Sequence, residues 1–309
     1  MSSCNPSRTV RLGAPRWMMR LGHAATRALL PTRTPTPEIA ASAQRAPAGR
    51  VALVGAGPGA ADLLTVRALT RLQAADAVVY DRLVGQDILA LLPTGCERYY
   101  VGKACGHHSV PQAEIGERLV ALAREGKRVV RLKGGDPGVF GRMGEELAAL
   151  SESGIETEIV PGITAASGAA SALGLPLTDR AHAQSLRFVT ARQAQAELDP
   201  DWRALARRDE TLVFYMGLGR VAEICDGLIG AGLPANWPIM LIAHATLPTQ
   251  QIRAGTLATL PARLAEAPMP SPCLIVVGSV VLLYRGGDDA GVEDADVEIE
   301  PRPAGAPLT

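Results

Sequence analysis

Between Val51 and Val160 short apolar runs alternate with stretches of helical period, and no other feature restricts the fold as strongly. The runs VALVGAG from Val51, DAVVYD from Asp76, RYYVG from Arg98, KRVVRLKGGDP from Lys127 and TEIVPG from Thr157 each read as a strand. Between them the spacing predicts helices from Asp62 to Gln73, from Pro111 to Glu125 and from Met143 to Ser153. Strands joined through helices need crossover connections, so the five should lie parallel in one α/β sheet.

Residues 163–173 are almost all Ala, Ser, Gly and Thr and read as a tightly packed closing helix. After GLPLTDR the grammar restarts with SLRFVTA, TLVFYMG, IMLIAHA, QIRAGTL and PCLIVVGSVVLL, with helices around Trp202–Arg207 and Arg220–Ile229. The expected organisation is an N-terminal extension over 1–49, an α/β domain over 50–177, a second α/β or α+β domain over 178–286, and an acidic tail over 287–309. Residues 1–50 carry eight arginines, the last at the boundary itself, against one acid, Glu38, and neither terminal segment has an apolar period, so both should be disordered. The arginine-rich arm reads either as a dispensable or misassigned start or as a targeting segment.

Lysine plus arginine and aspartate plus glutamate stand at 31 each, so no global field recruits nucleic acid or a membrane surface. An anionic ligand must be met by a local basic cluster. Cys4, Cys96, Cys105, Cys225 and Cys273 show no metal-ligand spacing and read as free thiols of a reducing cytoplasm, with no metal expected. No apolar stretch is long enough to propose a membrane span.

Gly55-Ala56-Gly57-Pro58-Gly59-Ala60 follows a strand and opens a helix, which formally matches a dinucleotide fingerprint, with Asp76 and Asp81 near the ribose-binding spacing. A nicotinamide or flavin oxidoreductase is therefore one reading. Proline has no N–H to turn toward a pyrophosphate, so the loop suits a ligand without phosphate, such as S-adenosylmethionine, at least as well. A plain strand-to-helix turn is the third reading.

Asp81 stands at the C-terminal end of a predicted parallel strand, where open α/β sheets place ligand-binding groups. It reads as a general base or as a carboxylate capping the next segment or paired with Arg82. Lys103 follows RYYVG and reads as an acid, a partner for a substrate carboxylate, or a solvated lysine. Gly134 and Gly135 let backbone meet a ligand at contact distance while Asp136 fixes the turn.

The segments VGAGPG (54–59), VVYDRLV (78–84), YVGKACGHHSVPQ (100–112), KRVVRLKGGDP (127–137), VPGITAA (160–166), PLTDRAHAQSLRFVT (176–190), TLVFYMGL (211–218) and SPCLIVVGSVV (271–281) occur in order. Together they resemble the uroporphyrinogen-III C-methyltransferase family within the wider tetrapyrrole methylases. The resemblance implies two α/β domains with the cofactor cleft between them, a homodimer, S-adenosylmethionine as methyl donor, and two successive C-methylations of uroporphyrinogen III. It also implies Asp81 as proton acceptor and Lys103 as proton donor, and cofactor contacts from Pro58, Gly134, Gly135, Asp136, Val139, Thr164, Ala165, Met216 and Ala245. The substrate is ringed with carboxylates, so Arg82, His108, Arg131, Lys133, Arg142, Arg180 and Arg187, which flank these motifs, are the candidates to meet it. Ala60, Gly138 and Ala245 depart from the family pattern beside the expected cofactor site.

Overall fold

The computed structural model describes residues 49–102, 111–191 and 200–285. Lys103, His107, His108, residues 1–48 of the extension and the tail 287–309 lie outside the described residues. The first sheet contains β1 (Val51–Gly55), β2 (Ala77–Tyr80), β3 (Glu97–Tyr100), β4 (Val129–Lys133) and β5 (Thr157–Val160), in the order β3-β2-β4-β1-β5. All of its pairings are parallel, as the helix-separated runs require. Its central strands β1 and β4 are buried along their whole length.

Alternation along β1 splits the core between the two faces of the sheet. Ala52 and Val54 pack with Leu72 of α1 (Val66–Gln73). Val51 and Leu53 pack with Leu119 of α3 (Gln112–Arg124) and Leu150 of α4 (Met143–Glu152). The helix expected from Asp62 instead starts at Val66, because the Thr65 hydroxyl caps it by accepting the Ala68 N–H at 3.1 Å; a 3-10 turn covers Ala61–Leu63. The short helix α2 (Gln86–Leu89) had no sequence signal of its own.

The closing helix is α5 (Ala165–Ala172). Its small residues have a physical reason. A Cβ added at Gly168 would stand 2.4 Å from Cγ of Pro58, so the proline of the glycine loop seats directly on the helix backbone.

The second sheet holds β6 (Ser185–Thr190), β7 (Glu210–Tyr215), β8 (Pro238–Ala243), β9 (Gln251–Thr256) and β10 (Cys273–Val277), in the order β6-β7-β10-β8-β9. Only β6 and β7 are parallel; the other three pairings are antiparallel. The sheet is thus mixed, because the link from β8 to β9 is too short for a crossover. The described helices of this half are α6 (Trp202–Leu205), α7 (Val221–Gly230) and α8 (Leu260–Glu266), the last with Pro261 in its first turn and not foreseen from the sequence. No helix among the described residues is long and apolar enough to cross a membrane.

Candidate functional site

A parallel sheet delivers every strand's C-terminal end to one edge, and the loops after β1, β2 and β4 meet there around a cavity of about 570 Å³. The second sheet closes it. Because β10 runs antiparallel between β7 and β8, the ends of β7 and β8 and the start of β10 share an edge, bringing Tyr215, Met216, His244, Ser271 and Pro272 to the same cavity.

The glycine loop is bound from both sides. Gly57 N–H donates to Gly135 O at 3.1 Å, and Gly135 N–H donates to Gly57 O at 2.7 Å. The Ala60 N–H donates to Thr246 Oγ1 of the second half at 3.0 Å. With Pro58 lacking a donor, the loop has few N–H groups left to cradle a phosphate, which weakens the dinucleotide reading. Behind the loop three glycines lie backbone on backbone: a Cβ on Gly55 would fall 2.5 Å from Gly162 N, and one on Gly162 would fall 2.3 Å from Gly135 O. Asp136 ties this arrangement down, one carboxylate oxygen accepting from Gly138 N–H at 2.8 Å and the other from Gly162 N–H at 3.0 Å.

Asp81, just past β2, lines the cavity, its side chain 26% exposed. Its Oδ1 accepts the Leu83 N–H at 3.0 Å, and its Oδ2 lies 3.6 Å from the Arg131 guanidinium. The pairing with Arg82 weighed from sequence is thus replaced, in the ion pairs described, by one with Arg131. Alternation along β4 puts Val129, Arg131 and Lys133 on the face covered by α3 and α4, and there both cations are buried. Glu146 of α4, with a fully buried side chain, takes Arg131 Nε at 3.0 Å and Lys133 Nζ at 2.8 Å on each carboxylate oxygen. Gln112 adds a fourth donation at 3.0 Å. Burial and then Arg131 push the Lys133 amine below its ordinary range, while Glu146 and Asp81 oppose that shift.

The aromatic wall centres on Tyr215. Its hydroxyl accepts the Ala166 N–H at 3.1 Å and shares a 2.7 Å hydrogen bond with Thr164 Oγ1, so it satisfies an otherwise orphaned donor in the first turn of α5. Burial raises the phenol above its usual range, and those two hydrogen bonds partly offset the rise. The Phe140 and Phe188 rings lie 5.1 and 5.7 Å from it, centroid to centroid. Phe140, Arg142, Met216 and His244 all hold left-handed backbone, with φ from 49 to 58°, and all line the cavity. Non-glycine residues seldom adopt that region, which costs about 1–3 kcal/mol at each, and such residues cluster at functional sites.

Of the residues singled out from sequence, Pro58, Asp81, Arg82, Arg131, Lys133, Gly134, Gly135, Asp136, Val139, Arg142, Thr164, Ala165 and Met216 line this cavity. Ala245 is buried behind it with its carbonyl against Gly59. Arg180 is exposed outside the lining, and Arg187 points to Ala204 O at 3.1 Å and Glu210 at 3.2 Å. Glu146, Tyr215 and His244 were missed. Tyr215 lies inside TLVFYMGL and Glu146 in the helix predicted from Met143, yet nothing in their local sequence signals burial against α5 or β4.

Backbone walls suit a bulky adenosyl cofactor. Gly57, Gly59, Gly134 and Gly135 border the cavity and present only backbone to it. The family model of Tetrapyrrole (Corrin/Porphyrin) Methylases matches residues 50–261. Siroheme synthase from Thiobacillus denitrificans is 54% identical over 243 residues, 78% of this chain and 51% of that protein. The Chromobacterium violaceum siroheme synthase is 50% identical over 251 residues, covering 79% and 53%. The chain therefore spans about half the length of the curated relatives it matches. A solved Thermus thermophilus uroporphyrin-III-C-methyltransferase is 44% identical with a TM-score of 0.64, covering 76% of this chain and 95% of that one. The Thermus enzyme complexed with S-adenyl homocysteine gives a TM-score of 0.66 at 39% identity, covering 76% and 100%. Motif order, two-sheet architecture and these matches lead to one conclusion: the chain belongs to the tetrapyrrole (corrin/porphyrin) methylase family.

Proposed function

We propose that this chain catalyses the S-adenosylmethionine-dependent C-methylation of uroporphyrinogen III, twice, giving precorrin-2 for sirohaem and/or cobalamin synthesis. The observation that carries this reading is the cavity itself, which combines glycine-backbone walls, a strand-end carboxylate and four cationic side chains at one sheet edge. When bound, the sulfonium supplies an activated methyl group. The chain's work is then to align and dehydrate the reactants, an effect of about 7–11 kcal/mol in favourable cases. Pro58, Gly134, Gly135, Val139, Thr164, Ala165 and Met216 hold the cofactor, with Ala245 behind them and Asp136 keeping the loop in shape. Arg82 and Arg142 face the carboxylates of the substrate, and His108, Arg180 and Arg187 are candidates for its periphery.

Asp81 removes the proton that leaves the methylated macrocycle, with Arg131 steadying Oδ2. Lys103 donates a proton or pairs with a substrate carboxylate. The working form is a cytoplasmic homodimer that acts on a small molecule rather than on nucleic acid or membrane. The test is anaerobic incubation with S-adenosylmethionine and uroporphyrinogen III, read by mass spectrometry. Two added methyl groups are expected, and a folded protein that adds none defeats the proposal. S-adenosylhomocysteine should raise the melting temperature while NAD and NADP do not.

A further inference from the structure

The side chains lining the cavity among the described residues are unbalanced in charge. They include four cations, Arg82, Arg131, Lys133 and Arg142, but only two carboxylates, Asp81 and Asp136. A wall of net charge +2 repels a sulfonium while it attracts a carboxylate-rich substrate. The balancing charges stand behind the wall on α4. Glu145 pairs with Arg142, but both side chains are more than half exposed and solvent screens the pair. Glu146 is different, since its side chain is fully buried and it bonds both Arg131 and Lys133. In that dry layer its charge is felt across the cavity.

We propose that Glu146 is a positioning residue that sets the charge of the cavity wall, its negative charge together with that of Asp81 offsetting Arg131 and Lys133 so that a cationic S-adenosylmethionine is accepted nearly as well as its neutral thioether product. The inference rests on the cofactor reading above. The geometry supplies the reason for a carboxylate at this place: two cations projecting from one face of β4 need a counter-charge, and a side chain from a helix covering that face brings one from behind the cavity wall. Glu146 also holds Arg131, which in turn lies against Asp81. Its influence therefore reaches the strand-end carboxylate without contact with either ligand.

Calorimetry of S-adenosylmethionine and S-adenosylhomocysteine on the parent, Glu146→Gln, Lys133→Met and the double variant tests this. The quantity read is the ratio of the two dissociation constants, cationic ligand over neutral. Glu146→Gln should raise the ratio about tenfold, the order expected for one unit charge at an effective dielectric near about 20. Lys133→Met should lower it, and the double variant, with the charge restored, should return it to within about twofold of the parent. A merely structural role would weaken both ligands together and leave the ratio still. An unchanged ratio in Glu146→Gln with a cooperative melt overturns the proposal. If that variant does not fold, Lys133→Met decides, and a ratio that fails to fall overturns it equally. A parent that binds neither ligand defeats the cofactor reading itself, whereas a parent that binds both with a ratio indifferent to these substitutions defeats only the role of Glu146.

Discussion

The two sheets reach the same cavity by different means. The parallel sheet brings β1, β2 and β4 to one edge through topology alone, and it supplies every formally charged side chain of the described lining. The mixed sheet has to insert β10 between β7 and β8 to align two strand ends, and it brings Tyr215 of the aromatic wall together with Met216 and His244, both in left-handed backbone. The contrast teaches a division of labour. The formally charged side chains and the glycine walls of the lining lie with the first half; the second half closes the cavity with an aromatic ring and two strand-end residues.

The sharpest way to break this contrast is a pair of substitutions read by single-turnover rate and S-adenosylhomocysteine affinity. Asp81→Asn should depress the rate by about 10²- to 10⁴-fold with affinity nearly unchanged. Met216→Ala, on the other sheet, should do the reverse, weakening the cofactor product with a rate at saturation near the parent's. Equal rates for Asp81→Asn and the parent would move the chemistry away from the first sheet.

A smaller effect is expected where the loops of the first sheet press together. Gly55→Ala would drive a methyl group into Gly162 and Gly135, costing about 1–3 kcal/mol of stability in thermal or urea unfolding. A variant as stable as the parent would show that the three-glycine contact relaxes freely. Tyr215→Phe should cost about 1–2 kcal/mol, because the Ala166 N–H loses its acceptor and Thr164 its partner. It should also weaken S-adenosylhomocysteine, since the hydroxyl joins the second sheet to the start of α5. Stability loss with unaltered affinity would confine Tyr215 to packing.

The smallest effect lies far from the cavity and serves as a control. Arg71 of α1 makes a paired hydrogen bond to Glu158 of β5 at 2.6 and 3.0 Å and holds that carboxyl below the usual range. A depressed folded-state pKa contributes stability that is present above the unfolded value, near about 4.3, and is lost as pH falls through the folded one. The parent's melting temperature should therefore fall with acid over that window, and Arg71→Met should make the fall shallower without touching ligand affinity. An identical acid profile for the two proteins would remove the pair from the account.

Much of the first half was legible in sequence because its signals act over a few residues. Apolar runs of strand length and helical periods between them operate locally, and the parallel sheet follows once helices separate the strands. The second half was less legible. β8 and β9 read as strands, but no local signal states that β10 will lie between β7 and β8, and that insertion makes the sheet mixed. The site divides in the same way. Pro58, Asp81, Gly134 to Asp136 and Met216 stand at strand ends or in turns, where position alone suggests a ligand.

The sequence by itself determined the alternation of strands and helices, the family to which its motif order belongs, and the placement of Asp81 and the glycine loop at one sheet edge. Tertiary structure alone decided what those residues touch. Glu146 reads as one acid in a helix until α4 packs on β4 and leaves it the buried partner of Arg131 and Lys133. The N–H groups of the glycine loop read as free for a phosphate until Gly135 and Thr246 accept two of them. Local propensity acts within a turn or a strand, whereas charge pairing and donor use depend on which surfaces meet, and that is settled by burial between segments distant along the chain.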